Sequence, residues 1–168
     1  MGGLTDLSDL HGERVVLRPV REDDVPALLA IASQPEVVRW WGEPAAGFPL
    51  GDDPDATRFA ILVEGEVTGM IQYGEELEPD YRHAWIDVFV DPARHGRGIG
   101  TDAVRTLFDR LVAERGHHRV TIDPATANAA AIRSYEKAGF RPVGTMRSAW
   151  RDPQGAWQDV LLMERLAV

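Results

Sequence analysis

Cysteine is absent from these 168 residues, which excludes disulfides, thiolate metal sites and a cysteine nucleophile. Whatever chemistry occurs must use oxygen, nitrogen or backbone groups. Long apolar runs are missing as well: the longest mostly apolar stretch, Val25–Ala32, contains Pro26 and falls far short of the ~20 residues needed to span a bilayer. Met1–Asp6 has neither the basic region nor the apolar stretch of a secretory signal. The expectation is a cytoplasmic protein with no membrane attachment. Basic charge is in deficit, with 18 Lys and Arg against 27 Asp and Glu for a net charge of −9. That balance repels phosphate backbones, sets nucleic acid aside as a partner and attracts polycations.

What is present is the composition of a folded chain, 44% hydrophobic and 27% charged, read as a single domain over residues 1–168. Glu13–Arg18 reads as a strand, and Pro19 with the acidic trio Glu22-Asp23-Asp24 opens a helix over Val25–Ala32. From Ser33 to Asp55, recurrent proline and glycine predict a long irregular segment carrying Trp40-Trp41. Thr57–Val63 and Val67–Tyr73 flank Glu64-Gly65-Glu66 as a hairpin, and an acidic connection with Glu75, Glu76, Glu78 and Asp80 follows. Ala84–Val90 is the most strand-like run, and after Gly100 apolar pairs recur every four residues as on a one-striped helix. Arg119–Asp123 reads as a buried strand, Asn128–Lys137 as a helix closed by Gly139, and Arg141–Ala149 and Trp157–Leu166 as two final strands. This alternation predicts a mixed α/β sheet covered by helices.

Chemistry concentrates where the Ala84–Val90 strand meets His95-Gly96-Arg97-Gly98-Ile99-Gly100. A glycine-rich turn opening a helix gathers unpaired N–H groups at the positive end of a helix dipole, which suits phosphate. The spacing is neither a dinucleotide fingerprint nor a P-loop, and by itself it also fits a close packing contact. A second segment, Asp123-Pro-Ala-Thr-Ala-Asn128 followed by Tyr135-Glu136-Lys137-Ala-Gly139-Phe140, completes a pair.

That pair resembles the GNAT superfamily of acyl-CoA-dependent N-acyltransferases, whose loop has the form Gln/Arg-x-x-Gly-x-Gly/Ala. Gly98 and Gly100 take the glycine positions, while His95 departs from Gln/Arg. The resemblance runs from Glu13 to Leu166 and implies a mixed, mostly antiparallel central sheet with flanking helices. It also implies acetyl-CoA as cosubstrate, bound by His95, Gly96, Arg97, Gly98, Ile99, Gly100 and Thr101. Asn128 would meet the pantetheine arm, backbone N–H groups at Val88, Phe89 and Val90 would hold the thioester carbonyl, and Tyr135 would protonate the departing thiolate. Transfer to a primary amine by direct attack is the implied reaction. Within the superfamily, Val38-Arg39-Trp40-Trp41-Gly42, Ile86-Asp87 and Ile122-Asp123-Pro124 are similar to aminoglycoside 6'-N-acetyltransferases. Acyltransferases acting on siderophore or peptide amines share parts of these elements.

Each candidate also has a plainer reading. Asp87 in an apolar strand is either a hydrogen-bonded carboxylate or the group that binds the substrate ammonium and accepts its proton. Asp123 is a turn residue or an active-site residue beyond a strand end; Tyr135 is core or acid; Asn128 is a helix cap or a ligand. Trp40 and Trp41 divide between plugging the loop and walling the acceptor site. Glu75, Glu76, Asp152 and Asp159 are solvated charges or additional cation contacts. His117-His118 lacks metal-site spacing and reads as a solvated pair, so no metal is expected. The expected partners are a small cationic amine and coenzyme A, with a monomer or a homodimer equally compatible. A non-catalytic acyl-CoA sensor is the alternative of a different class.

Overall fold

In chain order the elements are β1 (Leu10–His11), β2 (Val16–Pro19), α1 (Val25–Ala32), α2 (Pro35–Trp41), β3 (Thr57–Val63), β4 (Glu66–Glu76) and β5 (His83–Val90). They continue with α3 (Ile99–Ala113), β6 (Arg119–Ile122), α4 (Ala129–Lys137), β7 (Arg141–Arg151) and β8 (Trp157–Leu166). The computed structural model describes residues 7–168, so the reading of Met1–Asp6 lies outside the described residues. Among those described, the strands form one sheet in the order β1-β2-β3-β4-β5-β6-β8-β7. Every neighbouring pair is antiparallel except β5 and β6, which α3 joins and which are therefore free to run parallel.

Period-two alternation assigns the two faces. Ile71, Tyr73, Ile86 and Val88 bury against Ala103, Val104, Leu107 and Leu111 of α3 and against Tyr135 of α4. Met70 and Phe89 point the other way into a second core with Leu28 and Ile31 of α1 and Val37 of α2. Helices thus cover both faces, and β4 and β5 run between the two cores. No described helix is long and apolar enough to cross a membrane.

Besides the short β1 and the start of β2 at Val16, three segments differ from the sequence expectation. Residues 35–41 are helical rather than irregular: Pro35 occupies the first turn, where its missing N–H costs nothing, and Gly42 at φ +81° terminates the helix. The acidic connection begins later than expected, since β4 extends through Glu75 and Glu76. His117 is only 1% exposed rather than solvated. Its Nε2 donates to Glu75 Oε1 at 2.7 Å, and Arg115 donates to the same carboxylate from Nε at 3.0 Å and Nη2 at 2.7 Å. This knot fastens the turn after α3 to the end of β4.

Candidate active site

The site begins where β5 and β6 separate. Only Ala84–Val120 and Trp85–Thr121 pair across them, so beyond Trp85 the two strands diverge around a cavity of about 980 Å³. On the other side β5 stays paired with β4 along its length, with Asp87 opposite Gln72 and Phe89 opposite Met70. Asp91 N donates to Thr68 O, so odd-numbered residues of β5 turn their backbone groups to β4 and even-numbered ones turn theirs into the gap. Two side chains confirm the direction: Trp41 Nε1 donates to Val88 O at 3.2 Å, and His95 Nε2 lies 3.0 Å from Val90 O. The carbonyls of the opened edge are thereby occupied while the N–H groups of Val88 and Val90 face the cavity. Phe89 N–H faces β4 instead, which corrects its place in the expected backbone set; its ring packs edge-on to Trp41 at 4.9 Å.

One end of the cavity is built for an anion. Gly98 caps α3 with φ +76°, a left-handed conformation disfavoured with a side chain, and a Cβ there would project toward Arg14, whose Nε would be 3.6 Å away. A Cβ on Gly96 would meet nothing within 4 Å. The first turn of α3 leaves N–H groups of residues 98–101 without intrahelical partners, beside the basic side chains of Arg14, Arg105, Arg133 and Lys137. Asp102, the acid in that turn, is consumed by the N–H groups of Glu13, Arg14 and Val15. Thr101 Oγ1 lies 2.8 Å from Ser134 Oγ and joins α3 to α4. Open glycines, free N–H groups and surrounding cations fit a coenzyme pyrophosphate.

The opposite end is acidic. Asp87, Asp123 and Tyr135 line the cavity together with Trp40 and Trp41. Burial pushes the Asp87 carboxyl up to about 6; a Gln72 hydrogen bond opposes the shift, and the charges of Asp123 and Asp53 add to it. Burial likewise raises Asp123. Tyr135 is driven well above the ordinary phenol range by burial and then by the Asp87 and Asp123 charges, so its hydroxyl holds its proton at neutral pH. Asn128 lines the cavity and also caps α4, its Oδ1 accepting from Ala131 N at 3.2 Å.

Residues 18–140 match the acetyltransferase (GNAT) family. The chain belongs to that family. Aminoglycoside N(6')-acetyltransferase type 1 of Klebsiella pneumoniae is 29% identical over 157 residues, covering 80% of this chain and 77% of the relative. Spermidine N(1)-acetyltransferase of Escherichia coli K12 is 26% identical over 141 residues, covering 79% and 75%. Mycobacterium smegmatis RimJ in complex with CoA-disulfide superposes with a TM-score of 0.81 at 26% identity, covering 95% of this chain and 88% of that one. Aminoglycoside acetyltransferase AAC(6')-Ib in complex with coenzyme A and kanamycin superposes at 0.74 and 26% identity, covering 90% and 94%. This GNAT protein is an acetyl-CoA-dependent N-acetyltransferase.

Four charges expected near the acceptor are placed elsewhere in this acetyltransferase. Glu75 is held below the usual carboxylate range against its burial by Arg115 and His117, and none of the three lines the cavity. Glu76 Oε1 accepts from Glu78 N in an exposed turn. Asp152 closes the β7–β8 turn, accepting from Ala156 N and Gln158 Nε2 at 2.8 Å each. Asp159 accepts from Ser148 N at 2.8 Å, fixing a bulge in which Ser148 has φ 49°. Arg97 does not line the cavity, unlike its neighbours Gly96 and Gly98. Sequence reasoning also missed Gln72 and the Asp53 charge. Only the register opposite Asp87 reveals Gln72, a polar residue amid Met70, Ile71 and Tyr73.

Proposed function

We propose that the acceptor is a polycationic amine and that this enzyme acetylates the 6'-amine of an aminoglycoside. The observation carrying the reading is the convergence of Asp87 and Asp123 at one end of the opened β5–β6 gap, walled by Trp40 and Trp41. The Asp123 charge raises the proton affinity of Asp87, and two carboxylates so placed favour a cation between them. The aromatic faces suit a sugar ring bearing ammonium groups. Similarity to aminoglycoside N(6')-acetyltransferase type 1 supports the same choice.

Acetyl-CoA supplies an activated acetyl thioester. Gly96, Gly98, Gly100 and the α3 N-terminus hold its phosphates, and the Val88 and Val90 N–H groups meet the arm and thioester along the gap. Asp87 binds the acceptor ammonium and, with its pKa near 6, takes the proton directly or through water. Asp123 adds charge to the same ammonium site. Tyr135 keeps its phenolic proton until the sulfur departs and delivers it there, regaining one from solvent. Asn128 positions the arm from the start of α4.

The test measures free thiol release with acetyl-CoA and kanamycin, tobramycin, spermidine or a small linear amine. Aminoglycoside turnover is expected, with the acetyl group on the 6'-nitrogen by NMR and kanamycin resistance in an expressing host. KM for kanamycin should rise with salt as the screening length falls from about 10 Å at 0.1 M to about 3 Å at 1 M. Turnover of the linear amine or spermidine with no 6'-amino aminoglycoside turned over refutes the substrate reading.

A further inference from the structure

The acceptor carboxylate is held by side chains that do not themselves reach the cavity. Gln72 Nε2 donates to Asp87 Oδ2 at 3.2 Å. A primary amide can turn either its oxygen or its nitrogen toward a neighbour. Here the choice is forced, because Arg58 Nε donates to Gln72 Oε1 at 2.8 Å and a guanidinium has no acceptor to offer. Arg58 is itself clasped by Asp52, with Nη2 to Oδ2 at 3.1 Å and a second bond from Nη1 to Oδ1. Its Nη1 also donates to Pro49 O at 2.8 Å. The Arg58 and Asp52 side chains are 9% and 11% exposed, and Gln72 is 6% exposed. None of the three lines the cavity, and their hydrogen-bonded line reaches it at Asp87.

We propose that Arg58 is a positioning residue for acetyl transfer: it locks the Gln72 amide so that an N–H always faces Asp87, and it ties the segment from Pro49 to Asp52 to that carboxylate. The proposal rests on the reading of Asp87 as the amine-binding group. Without Arg58, Gln72 is free to present its oxygen to Asp87, an arrangement tolerated only when Asp87 carries a proton. Asp87 is then protonated to higher pH and takes the ammonium less readily. The other groups whose charge acts on Asp87 are Asp123 beyond β6 and Asp53 in the segment before β3, while Tyr135 on α4 keeps its proton and is neutral over this range. Arg58→Met also removes a cation and frees the segment next to Asp53, so the comparison that reports on Gln72 is the charge-balanced Asp52→Asn/Arg58→Met variant against wild type.

The decisive measurement is a pH titration of the Asp87 carboxyl carbon by NMR on the full chain, the resonance being assigned by its loss in Asp87→Asn. In Arg58→Met the midpoint should move up by about one unit, the scale of one hydrogen bond to a charged group. Arg58→Lys, which still only donates, should restore it to within a few tenths. The acid limb of kcat/KM for kanamycin should move in the same direction. Because Arg58→Met strands the Asp52 carboxylate, Asp52→Asn/Arg58→Met is measured in parallel as the variant that avoids an unpaired charge. A wild-type midpoint in the folded double variant overturns the proposal. If Asp87→Asn still acetylates kanamycin at the wild-type rate, the reading of Asp87 fails, while the carboxyl titration independently judges the Arg58–Gln72 lock.

Discussion

Replacing Asp87 by Asn should stabilise the fold while removing activity. The wild-type carboxyl titrates near 6 in the folded protein against an ordinary 3.8, because burial disfavours its charge. In the window between those values the folded state binds more protons than the unfolded state, so stability falls as pH rises through it. Below the window the carboxyl is neutral in both states and costs nothing. At pH 7 the full penalty applies, and a gap of roughly two units is worth about 3 kcal/mol. Asn has the same shape, still offers an oxygen to Gln72 Nε2 and carries no charge. Urea unfolding at pH 7.5 should therefore show Asp87→Asn more stable by about 2–3 kcal/mol, equivalent to a Tm increase of about 5–10 °C for a chain of this size. Near pH 4 the advantage should shrink to a few tenths. The Glu75 and Asp52 carboxyls, both held below their ordinary values by cationic partners, are identical in both proteins and cancel in the comparison. An Asn variant no more stable than wild type at pH 7.5, or a gain that persists undiminished at pH 4, refutes the argument that burial sets this carboxyl's proton affinity.

Tyr135→Phe keeps the ring packing beneath α4 and removes only the hydroxyl, so kcat should fall by roughly 10²-fold or more with little change in melting temperature; a wild-type kcat would assign Tyr135 to the core alone. Gly98→Val places a branched side chain at φ +76° on the cap of α3, and calorimetry should find acetyl-CoA affinity reduced at least tenfold in a protein that retains its circular dichroism spectrum. Unchanged affinity would move the pyrophosphate elsewhere. Glu75→Gln should destabilise the chain by about 1–3 kcal/mol at pH 7, because Arg115 and His117 lose a buried charged partner. Glu75 titrates below its ordinary 4.5 when folded, so that contribution is present at neutral pH and lost as pH falls through the folded value; denaturation curves that superpose with wild type at pH 7 would contradict it.

Local chemistry made much of this architecture legible in the sequence. Val25–Ala32 and Trp157–Leu166 follow their proline, glycine and β-branched punctuation to the residue, and the glycine turn before α3 announces a helix N-terminus. The helix at Pro35–Trp41 was legible too, through Pro35 at its start and Gly42 at its end, but the density of later prolines and glycines obscured it. Pairings between distant residues left no such trace. Nothing local to Gln72, Arg58 or Asp52 shows that they form a hydrogen-bonded line to Asp87; that follows from the register of β3 on β4 on β5. For the same reason acidic residues looked alike in sequence, although Glu75, Asp152 and Asp159 are spent on neighbours while Asp87 and Asp123 border open space.

The divergence of β5 from β6 leaves an inner strand with one finished edge and one open one. Amide hydrogen exchange should therefore alternate along β5 in the free enzyme. Asp87 and Phe89, bonded across to β4, should be protected nearly to the limit of global unfolding, while Val88 and Val90 exchange from the folded state through water in the gap. Saturation with acetyl-CoA should erase the alternation by slowing the two fast amides alone. In that sense the coenzyme acts as a removable half-strand, completing a sheet that the polypeptide leaves unfinished at its centre.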